Sequence, residues 1–472
     1  MVVTLVTIFI IGYACIALEH PLKVNKTATA LLLGVLTWTI FSFCNAAFDP
    51  SLGHEGWHAF ISGNLVENLG ETAEIVFFLL GAMTIVTLIE DYQGFSIITD
   101  KIKTTNKKRL LWIISILTFF LSALLDNMTT AIVMVALLRK LIADKQERWL
   151  FAGMVILAAN AGGAWSPIGD VTTIMLWIKG EVTTVNIIVK TLIASLVCMV
   201  VPVILLGFSL KGDIERPEEQ SEGMVVPYRF RMLVLIMGVC ALIFVPVFKT
   251  ITHLPPYLGM LFGLSILWVT TEILSRKYSK DFKLPTAVST LEHVDVPTIL
   301  FFLGILMAVS CLKVAGILGG LAQSLNDAFL TVSMGASGHP EVVGGGFFLI
   351  DLIIGVLSSV VDNVPLVAAV QGMYPLEGAD VLFAQNHAFW EFLAYCAGTG
   401  GSLLIIGSAA GVAVMGMEKI DFIWYLKKIT LLAFAGYVAG AIVFILMDIT
   451  LFEKVEFLRD LACLPSVNTM LC

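Results

Sequence analysis

The chain has 472 residues, of which 58% are hydrophobic and 14% are charged, and its formal net charge at pH 7 is −8. Its mean hydropathy is +0.93. A water-soluble enzyme of this size could not cover its surface with so few polar residues. Composition therefore excludes a soluble globular protein and predicts an all-α polytopic membrane protein, with the lipid bilayer as a partner and no nucleic-acid partner.

Apolar runs long enough to cross a hydrocarbon core of about 30 Å as helices recur along the whole chain. The first run, from Met1 to Ala17, has no basic segment before it, so we interpret it as a span rather than a secretory signal. In chain order, we predict ten crossings, at 1–18, 28–48, 72–91, 149–178, 184–210, 229–248, 256–274, 297–312, 385–416 and 422–447.

Two further apolar stretches, 110–142 and 343–373, are long for one crossing and short for two. Each is interrupted by a polar pair, Asp126-Asn127 in the first and Asp362-Asn363 in the second. Lys and Arg residues stand on both sides of the first stretch, whereas Lys313 is the one basic residue near the second. By the positive-inside rule, the first is a re-entrant hairpin from the cytoplasmic face and the second a hairpin from the outer face.

The distribution of positive charge sets the orientation of the whole chain. With the N-terminus outside, ten crossings and two hairpins, the inner segments carry 22 Lys and Arg residues and the outer segments carry six. The opposite orientation would invert this ratio, against the positive-inside rule. We therefore predict a multi-pass protein whose N- and C-termini are both extracytoplasmic.

The two halves of the chain repeat one another. The Asp126-Asn127 pair matches Asp362-Asn363, and Gly162-Gly163 matches Gly400-Gly401. Each half has five crossings, an odd number, so the second copy is inverted, as in many secondary transporters. The predicted organisation is a first repeat at 1–210, a cytoplasmic linker at 211–228, a second repeat at 229–447 and an extracytoplasmic tail at 448–472, which contains Cys463 and Cys472.

The segments 149–178 and 385–416 contain glycine-rich centres, Asn160–Asp170 and Gly398–Ser408. Glycine and proline interrupt a helix there and free backbone carbonyl groups within the membrane, which need a partner. Carbonyl, hydroxyl and carboxylate oxygens suit a hard cation such as Na⁺. The alternative is that the glycines only permit close helix packing.

Carboxylates at the hairpin tips are costly in a bilayer and indicate a function. Asp126 and Asp362 could each hold a proton or a metal cation, which is the competition that an antiporter needs. The alternative role is a helix N-cap, and the two roles are compatible. Asp170 has Ser408 as its counterpart, which would make the two halves unequal. Asp351 and Glu391 are candidate proton carriers.

These paired motifs, from Asp126-Asn127 with Thr129-Thr130 to the Gly398–Ser408 loop, resemble those of the ion-transporter superfamily and, more closely, of NhaD-type bacterial sodium/proton antiporters. The resemblance implies a bacterial cytoplasmic (inner) membrane, a homodimer, and an elevator-type movement. Spans 1–3 and 6 of each half would form a scaffold, while the hairpins and broken helices move. Dicarboxylate transporters of the superfamily carry Ser at the hairpin tips, where this chain has Asp. Pro365 is a further departure.

The leading hypothesis is exchange of Na⁺, with Li⁺ as a further candidate substrate, for H⁺. It needs no cofactor beyond the transported ions, and no motif suggests an enzyme. The predicted ion-binding or proton-coupled residues are Asp126, Asn127, Thr129, Thr130, Asn160, Ser166, Asp170, Thr172, Asp362, Asn363, Thr399, Ser402 and Ser408; of these, Asp126, Asn127, Asp362 and Asn363 are predicted to contact Na⁺. The alternative is a sodium-coupled carboxylate or oxyanion transporter, for which Lys313 is the only buried cation that we predict.

Overall fold

The computed structural model describes residues 2–17, 19–44, 53–99, 101–217, 226–279, 282, 284–334, 340–376 and 381–452. The first half contains the helices α1 (Val2–Ala17), α2 (Glu19–Leu22), α3 (Lys26–Ser42), α4 (His54–Asp91), α5 (Ser96–Thr99), α6 (Lys107–Leu125), α7 (Asn127–Leu141), α8 (Lys145–Gly163), α9 (Val171–Ile178) and α10 (Thr184–Ser209).

The second half is also almost entirely helical. Its elements are α11 (Tyr228–Thr252), α12 (Pro256–Lys277), α13 (Ala287–Leu291), α14 (Val296–Val314), α15 (Ile317–Phe329), β1 (Thr331–Met334), β2 (Pro340–Val343), α16 (Gly346–Leu357), α17 (Asn363–Met373), α18 (Ala388–Gly400), α19 (Ala409–Glu418), α20 (Phe422–Lys428), α21 (Thr430–Met447) and a π-helical turn (Asp448–Phe452). The strands β1 and β2 form an antiparallel pair that the sequence did not predict.

Within the described ranges, seven helices are long and apolar enough to cross a membrane: α4, α6, α10, α11, α12, α14 and the continuous segment that begins with α21. Many of their apolar side chains, such as Phe208, Ile251 and Leu431, are exposed on the protein surface. A lipid phase accounts for such a surface, whereas water does not. The prediction of an all-α polytopic membrane protein is confirmed.

The polar breaks in the sequence coincide with helix ends. Asp126 separates α6 from α7 and has a φ of 90°, a backbone conformation that residues other than glycine rarely adopt. Asp362 likewise stands directly before α17, but with an ordinary φ of −46°. Loops that begin after Gly163 and Gly400 separate α8 from α9 and α18 from α19.

Close approach of backbones explains two of the glycines. A Cβ atom at Gly162 of α8 would collide with the carbonyl oxygen of Phe119 on α6, and one at Gly400 of α18 would collide with that of Gly355 on α16. Each interrupted helix therefore packs directly against the first arm of the preceding helix pair. The glycines at these two positions therefore permit close helix packing, which was the alternative that the sequence left open, and the helices are also interrupted there.

Most contacts between helices fall into two groups, which touch each other mainly where α14 packs on α17. In one group, α3 packs on α1 and α14, and α12 packs on α4 and α11. In the other, α6 to α9 and α16 to α19 pack together with α10 and α21, which contact each other extensively. The prediction that the last span of each half belongs with the first three is therefore wrong. Small residues explain why, since Gly436 and Gly440 of α21 lie against the α10 backbone and Tyr395.

Two predicted boundaries also differ from the structure, and two predicted segments cannot be compared with it in full. The span at 72–91 is the second part of a longer helix, α4, which begins at His54. The span at 422–447 is divided at Ile429, between α20 and α21. The centre of the linker (218–225) and the end of the tail (453–472, with Cys463 and Cys472) lie outside the described residues.

Candidate cation site

Asp170 lies where both glycine-rich loops and both polar helix breaks meet. It is the N-cap of α9, and its side chain is 1% exposed. The backbone N–H and the hydroxyl group of Thr172 both donate to its Oδ1 at 3.0 Å. These bonds fix the carboxylate at the start of a helix, where the dipole favours negative charge.

Two asparagines, one from each polar break, donate to this carboxylate. Nδ2 of Asn127 lies 2.7 Å from Oδ2 of Asp170, and Nδ2 of Asn363 lies 3.3 Å from both of its oxygens. Among the described residues, no donor reaches the Oδ1 atom of either asparagine. Each amide therefore keeps an oxygen available as a ligand while its nitrogen holds Asp170.

Asn160 extends the network to the second interrupted helix. Its Oδ1 accepts from Nδ2 of Asn127 at 3.1 Å, and its Nδ2 lies 2.9 Å from the hydroxyl oxygens of Ser402 and Ser408. Asn160, Ser402 and Ser408 are all buried. Because a buried polar group without a partner is costly, this continuous network favours one arrangement of the four segments.

The two aspartates at the breaks have different surroundings. Asp126 accepts from the backbone N–H and the hydroxyl group of Thr129, at 2.8 and 2.7 Å. Asp362 accepts from the backbone N–H of Val364 at 3.4 Å, and its Oδ2 lies 3.7 Å from Nζ of Lys26. Both therefore cap a helix, and only Asp362 has a basic partner within the described part of the chain. Sequence reasoning missed Lys26, since it precedes the motifs by a long stretch of chain.

Some predicted ligands are held in bonds away from this network. The hydroxyl group of Ser166 donates to the carbonyl of Ala123, and that of Thr399 donates to the carbonyl of Tyr395 in its own helix. The Thr130 hydroxyl group is buried without a partner in the described structure. The structure thus brings together Asn127, Asn160, Asp170, Thr172, Asn363, Ser402 and Ser408, with Asp126 and Asp362 at the two breaks.

The two candidate proton carriers, Asp351 and Glu391, differ in whether their carboxylates have polar partners. Both oxygens of Asp351 are buried without a partner in the described ranges. Glu391 accepts from Nδ2 of Asn186 at 2.7 Å and lies 3.9 Å from Nζ of Lys190. The sequence contains no local signal for the partners of Glu391, since α10 supplies both of them.

A cleft lies between the two helix groups, and we call it the outer cleft because the predicted orientation would place it on that side. Lys179 and Lys313 line it, together with Glu71 of α4 and Gln371 of α17. Lys179 lies 3.2 Å from Glu71. The amide group of Gln371 donates to Glu181, which is buried in the loop between α9 and α10.

The prediction that Lys313 is a buried cation is wrong, because this residue is exposed at the cleft. Lys190, by contrast, is buried, and the sequence did not single it out. The contact between Glu181 and Gln371 was not predicted either.

A bundle of apolar helices, interrupted at four points around one buried carboxylate, defines a polytopic membrane transporter. Residues 13–390 match the citrate-transporter family, CitMHS. The chain belongs to this family, which consists of transporters rather than enzymes.

Three individual relatives, all of them named as sodium/proton antiporters, are similar to most of the chain. The chain is 44% identical to Sodium/proton antiporter 1 of Arabidopsis thaliana over 93% of its own length and 71% of the relative's. It is 42% identical to Sodium/proton antiporter 2 of the same plant, over 93% and 98% of the two lengths. The Na(+)/H(+) antiporter NhaD of Vibrio cholerae is 29% identical over 93% and 91%. The resemblance to NhaD-type antiporters is confirmed.

Proposed function

We propose that the protein exchanges Na⁺ for H⁺ across the membrane in which it lies. The observation that carries this proposal is Asp170, a buried carboxylate that accepts hydrogen bonds from Asn127 and Asn363 at both breaks. Carboxylate, amide and hydroxyl oxygens are the ligands that hard cations prefer. A carboxylate that holds a proton is a poor cation ligand, so the two ions compete for it.

Two aspartates extend the negative potential of this region. Asp126 and Asp362 stand at the two breaks beside the asparagines that hold Asp170. Their charges oppose entry of an anion and attract a cation. The names of the plant and bacterial relatives, which are sodium/proton antiporters, support the same substrate. Li⁺ is a further proposed substrate on the same chemistry.

The proposed movement is of the elevator type. The helix pairs that meet at Asp126 and Asp362 would be re-entrant hairpins of two inverted five-span repeats. They would move with the interrupted helices α8, α9, α18 and α19, and with α10 and α21, against the remaining helices. The division of the packing into two groups supports this proposal. We further propose a homodimer, and a membrane orientation with both termini extracytoplasmic. A bacterial inner membrane remains the proposed location.

Carboxylate transport is the second candidate, favoured by the family match and by the lysines of the outer cleft. Lys179 is already paired with Glu71 at 3.2 Å, and both breaks present aspartate. These charges favour a cation as the substrate. A sodium-coupled carboxylate carrier would instead use the same carboxylates for its coupling ion.

The test uses purified protein in liposomes with an internal acid-sensitive dye and an imposed pH gradient. Na⁺ is expected to dequench the dye in the wild type. Asp170→Asn and Asp126→Asn are expected to reduce this response at least about 100-fold, because a neutral amide cannot exchange a proton for a cation. Asp213→Asn, an exposed position, is the matched control.

Wild-type exchange in the Asp170→Asn variant would contradict the assignment of the site. Additions of Li⁺, K⁺ and citrate to the same liposomes test the substrate. If cations give no response and citrate accumulates only with Na⁺, the second candidate function is correct.

A further inference from the structure

Lys26 lies at the first position of α3, and its ammonium group lies between the two helix groups. Nζ is 3.7 Å from Oδ2 of Asp362 and 4.7 Å from the ring centre of Phe301 on α14. The side chains of Lys26 and Asp362 are 19% and 14% exposed, respectively. Partial burial and a facing aromatic ring make this pair more favourable than a fully exposed one.

The pair borders a small pocket of about 40 Å³. Tyr13, Ile16 and Glu19 form its wall on the side of α1 and α2, and Val360 and Asp362 form the opposite wall. Glu19 accepts a hydrogen bond from the backbone N–H of Lys26 at 3.2 Å, which fixes the start of α3. The ammonium group of Lys26 thus faces Asp362 from a fixed helix end, at the edge of the pocket.

The equivalent position at the first break lacks such a partner. Asp126 accepts from Thr129 and forms no ion pair among the residues that the structure describes. The two aspartates, which match in sequence, both cap the helix that follows them, but only Asp362 also faces a lysine of the other helix group.

We propose that Lys26 is a tethered counter-cation of Asp362, occupying the position that a transported cation needs at the second break. The contact and cation binding at Asp362 exclude one another. Because α3 and the segment of Asp362 belong to different helix groups, the ion pair also holds those groups together in this conformation. This inference rests on the proposed function and adds to it a residue that sets cation affinity.

The experiment measures binding without transport. Purified variants are titrated with Na⁺ in choline-balanced buffer, and the Na⁺ concentration that gives half of the thermal stabilisation is recorded. Lys26→Gln is expected to lower this midpoint on the order of tenfold, because it removes the competing charge. Lys26→Arg, which keeps the charge, is expected to stay within about twofold of the wild type.

The double variant decides whether the effect acts through Asp362. In an Asp362→Asn background, Lys26→Gln is expected to leave the midpoint unchanged. An equal shift in both backgrounds, or no shift in the wild-type background, overturns the inference while the proposed function stands. Absence of Na⁺ stabilisation in every variant, the wild type included, overturns both.

Discussion

Buried carboxylates are the costliest side chains in this chain, and each has a different means of support. Asp170 accepts from two asparagines and Thr172, whereas Glu391 faces Asn186 and Lys190. Asp351 has no hydrogen-bond partner in the described residues. Burying an ionised carboxylate without a partner costs several kcal/mol, so a neutral side chain of the same shape is expected to suit this position.

We therefore predict that Asp351→Asn changes little. Asparagine has nearly the same shape as a protonated aspartate, and the thermal midpoint is expected to stay within a few degrees, or about 1 kcal/mol. Glu391→Gln is the matched comparison and should cost about 2–3 kcal/mol, because it removes the carboxylate that Asn186 and Lys190 contact. Thermal unfolding in detergent provides the comparison. Loss of exchange in a stable Asp351→Asn protein would instead make Asp351 a proton carrier.

At the scale of helices, the glycines of the interrupted segments place two backbones in contact. We predict that Gly162→Ala and Gly400→Ala each destabilise the protein by more than about 3 kcal/mol, since the added methyl group would meet a backbone carbonyl oxygen that cannot move aside. Gly207→Ala and Gly416→Ala are the controls, because open space surrounds both positions in α10 and α19.

The controls should keep or raise stability, since alanine favours a helix over glycine by about 1 kcal/mol. Thermal unfolding of the four variants gives the comparison. Equal loss in all four would show that helix flexibility, rather than backbone contact, explains the glycines.

The helix breaks were predictable because each depends on residues that are close together in the sequence. A polar pair or a glycine cluster inside an apolar run interrupts the helix and leaves backbone groups that need partners within the membrane. The contacts between the breaks were not predictable. Asn160 bonds to Ser402 and Ser408, and Lys26 pairs with Asp362, across most of the chain. No pattern within one segment encodes such pairings, which depend on how the helices pack.

At the scale of the whole molecule, a buried acid joins the two halves near the outer cleft. Burial raises the pKa of Glu181 to about 8 from an ordinary value of 4.5, while Gln371, Lys179 and Lys313 act in the opposite direction and Glu71 adds to the rise. Between these two values, the folded protein binds more protons than the unfolded chain. The free energy of unfolding therefore falls as pH rises through this window.

We predict that Glu181→Gln flattens this fall in stability, because glutamine does not titrate. Thermal unfolding measured from about pH 5 to pH 8 should show a smaller loss in the variant than in the wild type. Glu71→Gln, which alters a neighbouring acid, is the control and should keep most of the slope. Identical slopes in Glu181→Gln and the wild type would show that other groups cause the pH dependence.

Asp170 in the first half has Ser408 as its counterpart in the second half, and this difference bears on why the two halves form one chain. Each is the N-cap of the helix after a glycine-rich loop, and the two meet in one network through Asn127 and Asn160. If the halves are the proposed inverted repeats, two identical copies of one half would supply these positions in pairs, and the centre would carry two carboxylates or none. A single carboxylate requires halves that differ, and fusion into one gene lets each half change on its own. A single chain can therefore carry one unpaired carboxylate at its centre, whereas a symmetric dimer of identical subunits cannot.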